Sequence, residues 1–380
     1  MLPRERVQAA FEHRPADRIP IYHGGWSAWA ARVVLGREAY VGGGIQQWRE
    51  ACALWQGPEA HAEFIERSFQ DALAVSLAAR QDMIRPEYWR YPVKPTRRLD
   101  EHTFLYGDPE GLWEVRRFDP LSEMFQVVDK SPRPPTTIED LERLVEQSEK
   151  ELERYNPSRA SFETYARAQD TRGEEYAVAG AGVGVGIPQT AEWLMAMVMR
   201  PDLVARYLDV TAACAERNAA VMADIGIRYL RGGGDFAGNS GPMYSPRAFH
   251  ELVLPRLQRV SEACHKVGCY HLFASDGNLW PVADDLFGRS GVDGFYEIDR
   301  LAGMDLRLLR ERFPRLTLLG GLASQTLHLG TRDDVVAQAL DALESARELQ
   351  GVIVGVSNYP VPGTPPENIL AMLETIRDNR

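Results

Sequence analysis

From residue 176 onward the chain repeats one pattern: a short apolar run, a polar or glycine-rich loop, then helical sequence. Short runs separated by helices cannot pair as hairpins. They read as parallel strands joined by helical crossovers. Residues 176–185, 227–230, the run ending at His271, 292–298, 316–319 and 352–356 are six such strands, and 19–22 and 78–85 add two upstream. Helical patterns at 203–224, 305–313 and 332–348 separate them. Eight short strands alternating with helices predict an α/β fold, a closed (β/α)8 TIM barrel; a doubly wound open sheet is the structural alternative.

The front of the chain departs from this rhythm. Val7, Ala10 and Phe11 stand at helical spacing before prolines interrupt, and helical sequence over 46–79 is split at Gly57-Pro58. Residues 91–173 read differently, with antiparallel strands at 96–98, 103–106 and 112–118 around the turn cluster Gly107 to Gly111. Thr137, three residues before Asp140, predicts the N-cap of a charged helix. With too few apolar residues for a core of its own, this stretch is expected to be an insertion after strand two, a β-hairpin and helical segment within a single domain of residues 1–380.

Active sites of such barrels lie at the C-terminal ends of the strands. Those ends carry His23 and Trp26, Asp82 and Arg85, Gln189, Asp235, His271 with Asp276 and Asn278, Glu297, and Asn358 with Tyr359; Tyr244 lies beyond the Asp235 loop. Asp235, His271, Glu297 and Asn358 are the expected catalytic set, and the others the expected substrate contacts. A carboxylate beside an imidazole raises its pKa and orients it for proton transfer or metal binding. The competing reading makes His271 a buried hydrogen-bonded group and Asp235 a cap for the loop before Ser245-Pro246.

Several functions are excluded or disfavoured. A formal net charge of -11 and a pI near 5.4 argue against nucleic acid or an anionic membrane as partner. Four cysteines without CxxC spacing suit a reducing compartment, and no apolar signal core or spanning run is present, so a cytoplasmic location is expected. Glycines 180, 182, 184 and 186 fail the GxGxxG spacing because Val185 and Ile187 occupy the required positions, so no nucleotide cofactor is expected. His250-Glu251 lacks the second histidine of HExxH, since residue 254 is leucine. Cys264 and His265 belong to a helix and His271 to a strand end, which disfavours a shared zinc ion.

RERVQAAFEHRPADRIP, GGGDFAGNSGPMYSPRAFHELVLPRLQRV, HLFASDGN, GMDLRLLRERFPRLTLLGGL and VPGTPPENILAMLETIRD together resemble the uroporphyrinogen decarboxylase (URO-D) superfamily. That superfamily holds the decarboxylase and the zinc- and corrinoid-linked methyltransferases acting on coenzyme M, and its fold is a (β/α)8 barrel. Resemblance to the decarboxylases implies arginines after the first strand, yet none occurs in residues 22–31, and Asn358 stands where their histidine is. Asp82 is the expected counterpart of their pyrrole-organising aspartate. Resemblance to the methyltransferases implies zinc held by His-x-Cys and a later cysteine. Here His271 is followed by Phe273, and Ser357-Asn358 fills the last position. Tightly bound zinc is therefore not expected; His271 with Asp276 or Glu297 is the remaining metal set. The expectation is a methyltransferase component that works with a corrinoid (cobalamin) on a partner protein, in methyl-group or O-demethylation metabolism, on a small-molecule methyl donor or acceptor. The alternatives are a tetrapyrrole decarboxylase of porphyrin biosynthesis and a non-catalytic binding module for a tetrapyrrole or corrinoid protein.

Overall fold

A computed structural model describes residues 1–380. Its first strand pair sets the frame: β1 (Met83–Ile84) runs parallel to β6 (Ala177–Gly180), and between them in sequence lie β2 (Arg97–Arg98), β3 (Thr103–Gly107), β4 (Trp113–Asp119) and β5 (Met124–Lys130). The chain continues through β7 (Tyr229–Gly233), the small pair β8 (Ala237–Gly238) and β9 (Gly241–Pro242), then β10 (Tyr270–Ala274), β11 (Gly294–Tyr296), β12 (Thr317–Leu322) and β13 (Val352–Val356). Seven strands form one parallel sheet in the order β1-β6-β7-β10-β11-β12-β13.

Residues 20–22 join the two edges of that sheet. Ile21 bridges Val354 in parallel, with Tyr22 N–H donating to the Val354 carbonyl and Val354 N–H to that of Pro20. On the other side Asp82 N–H donates to the Ile21 carbonyl at 2.8 Å. The curled sheet is thereby closed by an eighth, very short segment into the expected barrel. Gly355 permits the seam, because a Cβ there would overlap the carbonyl of Tyr22.

Several strand limits differ from the sequence reading. The second is two residues rather than 78–85, since the helix Pro58–Ala78 runs into it and Arg80 turns the chain with φ 52°. The third stops at Gly180, ahead of the left-handed Gly182. The fourth extends to Gly233, which places Arg231 inside a strand. The eighth matches residues 352–356.

Alternation sorts the strand side chains into two layers. Tyr22, Met83, Ala179, Tyr229, Leu272, Leu319 and Ile353 fill the barrel interior together with Val7, Ala10 and Phe11 of the helix Pro3–Phe11, which plugs the base. Leu230, Phe273, Val354 and Val356 face outward and pack beneath the surrounding helices. The inserted strands form an antiparallel sheet, β2-β3-β4-β5, whose last strand the sequence reading did not include. Phe104, Tyr106, Phe118 and Phe125 of this sheet pack on Ala51 of the helix Gly44–Gln56. Thr137 caps the helix Ile138–Arg154 in a capping box with Asp140. Glu123, in the β4–β5 turn, accepts from the Ala28 and Trp29 amides at 2.9 and 2.8 Å, so the insertion caps the helix Ala28–Leu35 beside the barrel mouth. No helix is long and apolar enough to cross a membrane.

Candidate active site

Above the apolar plug the barrel interior turns polar. Because Tyr229 points inward, so does Arg231 two residues on. Arg231 donates through Nε to the Gly180 carbonyl at 3.0 Å and through a terminal nitrogen to the Tyr22 hydroxyl at 3.3 Å. Tyr296, closing β11, donates to the Gly232 carbonyl at 3.2 Å. Arg85 follows β1, donates to the Gly24 carbonyl at 2.5 Å, and lies 4.3 Å from the ring centre of Trp89. Trp89 and Tyr359 meet at the rim with ring centres 5.8 Å apart.

Carboxylates collect on the same side, past the ends of β7, β10 and β11. Asp235 follows β7, Asp276 follows β10 and Glu297 follows β11. The Asp276 amide donates to Asp235 Oδ1 at 3.2 Å, and Asn358 Nδ2, after β13, donates to Asp276 Oδ2 at 2.9 Å. Asp299 accepts from the Gly277 amide at 3.2 Å. Burial, with Asp235 and Asp299 close by, pushes the Asp276 carboxyl up to about 6. Burial, with Asp276 and Asp235, pushes Glu297 up to about 8 against the pull of Arg85 and Arg231. Glu297 also holds φ at 68°, a strained setting for a side-chain-bearing residue. At neutral pH it retains its proton while Asp276 titrates just below neutrality, which poises the wall for proton transfer.

Four expected members of the site lie elsewhere. His271 alternates with the inward Leu272 and therefore points outward; it is fully buried, with Nδ1 2.9 Å from the Ser261 hydroxyl on the helix Leu254–Lys266. Burial holds its imidazole down at about 4. Asp235 lies in the loop past β7, accepts from the Asp276 amide and is not among the groups touching His271, so the expected Asp235–His271 pair is corrected. His23 also points outward: its Nδ1 accepts from Val356 N–H at 3.2 Å, and burial lowers its pKa to about 3. Trp26 packs edge-on against it, completely buried. Asp82 precedes its strand instead of ending it, and so sits at the base of the barrel, between Arg6 and Arg380.

The remaining expected residues divide. Gln189 and Tyr244 share with Asp235 a side cavity of about 510 Å3 between the loops after β6 and β7. Asn278 accepts from the Trp280 amide at 3.0 Å and so caps a turn. The metal set of His271 with Asp276 or Glu297 is not assembled, and no three His, Cys, Asp or Glu side chains converge on a point that could hold an ion. Arg231 escapes the sequence reading because strand four ends there at residue 230, although in-out alternation from Tyr229 points to it; Tyr22 and Tyr296 lie inside strands one and six as read, and only alternation within those strands marks them as facing the interior.

His271→Ala is expected to cost about 1–3 kcal/mol of stability through a lost buried hydrogen bond, with activity per folded molecule retained. Both histidines have folded pKa values below the ordinary 6.5, so they contribute stability above that pH which is lost as pH falls toward about 4 and about 3. Thermal melts from pH 7 to 4 should therefore fall more steeply for the wild type than for the variant.

A family model described as uroporphyrinogen decarboxylase (URO-D) matches residues 130–379. A curated uroporphyrinogen decarboxylase of Anaeromyxobacter sp. (strain Fw109-5) is 28% identical over 129 residues, which is 33% of this chain and 35% of that protein. The match thus spans about a third of the relative's length. Among solved structures, a methyltransferase from Methanosarcina mazei superposes with a TM-score of 0.62 at 18% identity, covering 100% of this chain and 99% of that one. This likeness supports the barrel fold.

Proposed function

We propose, for a chain that belongs to the uroporphyrinogen decarboxylase family, that it is a methyltransferase component which demethylates a small oxygen-bound methyl donor and works with a corrinoid on a separate carrier protein. The observation that carries this reading is the burial of Glu297 beside Asp276 and Asp235 in an acidic barrel mouth, which pushes its carboxyl up to about 8. An alkoxide or phenoxide is a poor leaving group unless it is protonated as it departs, and a carboxyl with a pKa near 8 is matched to that task. The corrinoid, when its carrier docks, supplies a nucleophilic metal centre that accepts the methyl group. The residues of this chain then have separate duties. Arg231 and Tyr22 hold a polar end of the donor, Glu297 delivers the proton, Asn358 and Asp235 fix Asp276, and Trp89 with Tyr359 shields the rim.

Zinc activation of a thiol does not fit these residues. None of the four cysteines reaches the mouth: Cys264 and Cys269 are buried, and Cys52 and Cys214 lie on outer helices. His271 faces away. The neighbouring solved structure is named as a methyltransferase, in keeping with the proposal.

Decarboxylation of a tetrapyrrole is the second reading, favoured by the name of the curated relative. A substrate carrying many carboxylates would meet Asp235, Asp276, Glu297 and Asp299 at the mouth, with only Arg85 and Arg231 to receive it, and both already donate to backbone carbonyls. Buried like charges disfavour that complex. A pure binding module would have no use for a carboxyl tuned to about 8.

The test pairs both chemistries. Mixed with cob(I)alamin and a panel of methoxylated small molecules, the protein is expected to drive the absorbance change of cobalt methylation. Incubated anaerobically with uroporphyrinogen, it is expected to yield no coproporphyrin after oxidation. Coproporphyrin appearing in proportion to enzyme, with no cobalt methylation by any donor, would replace the first reading by the second.

A further inference from the structure

At the base of the barrel, opposite the mouth, lies a second cavity of about 370 Å3. It is bounded by the helix Pro3–Phe11, the turn at residues 14–20 and the end of the helix Arg332–Leu349. Arg6, Arg14, Arg18, Arg347 and Arg380 line it, and Asp17 is the one acidic side chain among the lining residues.

The local carboxylates are already committed. Asp17 accepts from Arg6 Nε at 2.6 Å and from the Met1 amino group at 3.0 Å. Asp82, buried beneath the cavity, is shared by Arg6 at 3.0 Å and Arg380 at 2.8 Å. Arg14 pairs with Glu12. Arg18 and Arg347 meet no carboxylate: Arg347 donates only to the Asn379 carbonyl. Burial lowers the pKa of Arg380, and the guanidinium groups of Arg18 and Arg6 lower it further while Asp82 acts in the opposite sense. Positive charge is thus in excess around a concave space, where low-dielectric walls focus the field toward an incoming anion.

We propose that this basal cavity binds a multivalent oxyanion, a phosphate ester or a polycarboxylate, through Arg18, Arg347 and Arg380. Guanidinium forks match the paired oxygens of either group. The volume falls in the range of about 300–1,000 Å3 usual for small-molecule sites, so it admits an organic anion and not only a bare ion. The apolar plug of Val7, Ala10 and Phe11 separates this cavity from the mouth. The site is therefore distinct from the one proposed for substrate. A ligand here ties the turn entering the first strand to the C-terminal half of the helix Arg332–Leu349, and binding to the folded state alone raises its melting temperature.

The experiment is thermal melting and calorimetric titration of the full chain with pyrophosphate and with citrate, against sodium chloride at matched ionic strength. One or both anions, at about 10 mM, should raise the melting temperature by several degrees where sodium chloride does not. Which arm responds distinguishes a phosphate source from a polycarboxylate source. The shift should vanish in the double variant Arg18→Glu/Arg347→Glu, whose two side chains are exposed and outside the mouth, and should persist in Arg143→Glu on the inserted helix. No shift with either anion, or a shift that survives in the double variant, would overturn the assignment.

Discussion

Glu297→Gln is expected to lower the methyl-transfer rate by about 10²–10⁴-fold, the range attributed to a positioned general acid, while the protein stays folded. Glutamine keeps the shape and the polarity of a protonated carboxyl but has no proton to release to a departing oxygen. The pH dependence follows from the same group. Its active form is protonated, and burial with the Asp276 and Asp235 charges keeps it so up to about 8, so the wild-type rate should fall as pH rises through that value. The residual rate of the variant should lack this limb. Stability moves the other way. The folded pKa is raised above the ordinary 4.5, so the favourable contribution is complete below 4.5 and is lost as pH rises through about 8. Glu297→Gln should therefore melt higher than the wild type at pH 9, with the difference shrinking toward pH 5. A wild-type rate that is flat between pH 7 and 9, or a variant that turns over normally, would remove Glu297 from the chemistry.

The division between legible and illegible residues is physical. Strand identity follows from composition and from the helices between runs, so the barrel could be read, and the ends of strands five, six and eight led to Asp276, Glu297 and Asn358. Side-chain direction depends on parity, and a shift of one residue exchanges core for mouth. His271 and Phe273 face the helix layer because Leu272 faces inward. The position of His271 near a polar loop says nothing about that choice. Arg231 was hidden by a boundary: Gly232 and Gly233 look like a loop, yet both pair with β10 and carry the strand past the arginine. Asp82 was misplaced for a similar reason, because helical residues before it were counted as strand.

That misplacement gives the largest expected effect on stability. Asp82 is 1% exposed, and its carboxylate receives Arg6 at 3.0 Å, Arg380 at 2.8 Å and the Ile21 amide at 2.9 Å. Its own amide donates to Ile21 and its carbonyl accepts from Ala177, so one residue stitches the closing segment to β1 and β6. Asp82→Asn removes the charge between two guanidinium groups that are themselves 5% and 6% exposed, and turns an amide donor toward donors. Breaking a buried pair from one side typically costs about 3–5 kcal/mol, a large share of the roughly 5–15 kcal/mol that holds a domain folded. Denaturant unfolding should show the midpoint falling with its slope unchanged. Adding Arg6→Met should cost less than the two single losses combined, because the guanidinium left unpaired by the first change is then gone. Activity per folded molecule should survive in Asp82→Asn, since the plug of Val7, Ala10 and Phe11 stands between this carboxylate and the mouth. A variant that keeps its full stability but loses turnover would instead return Asp82 to the substrate.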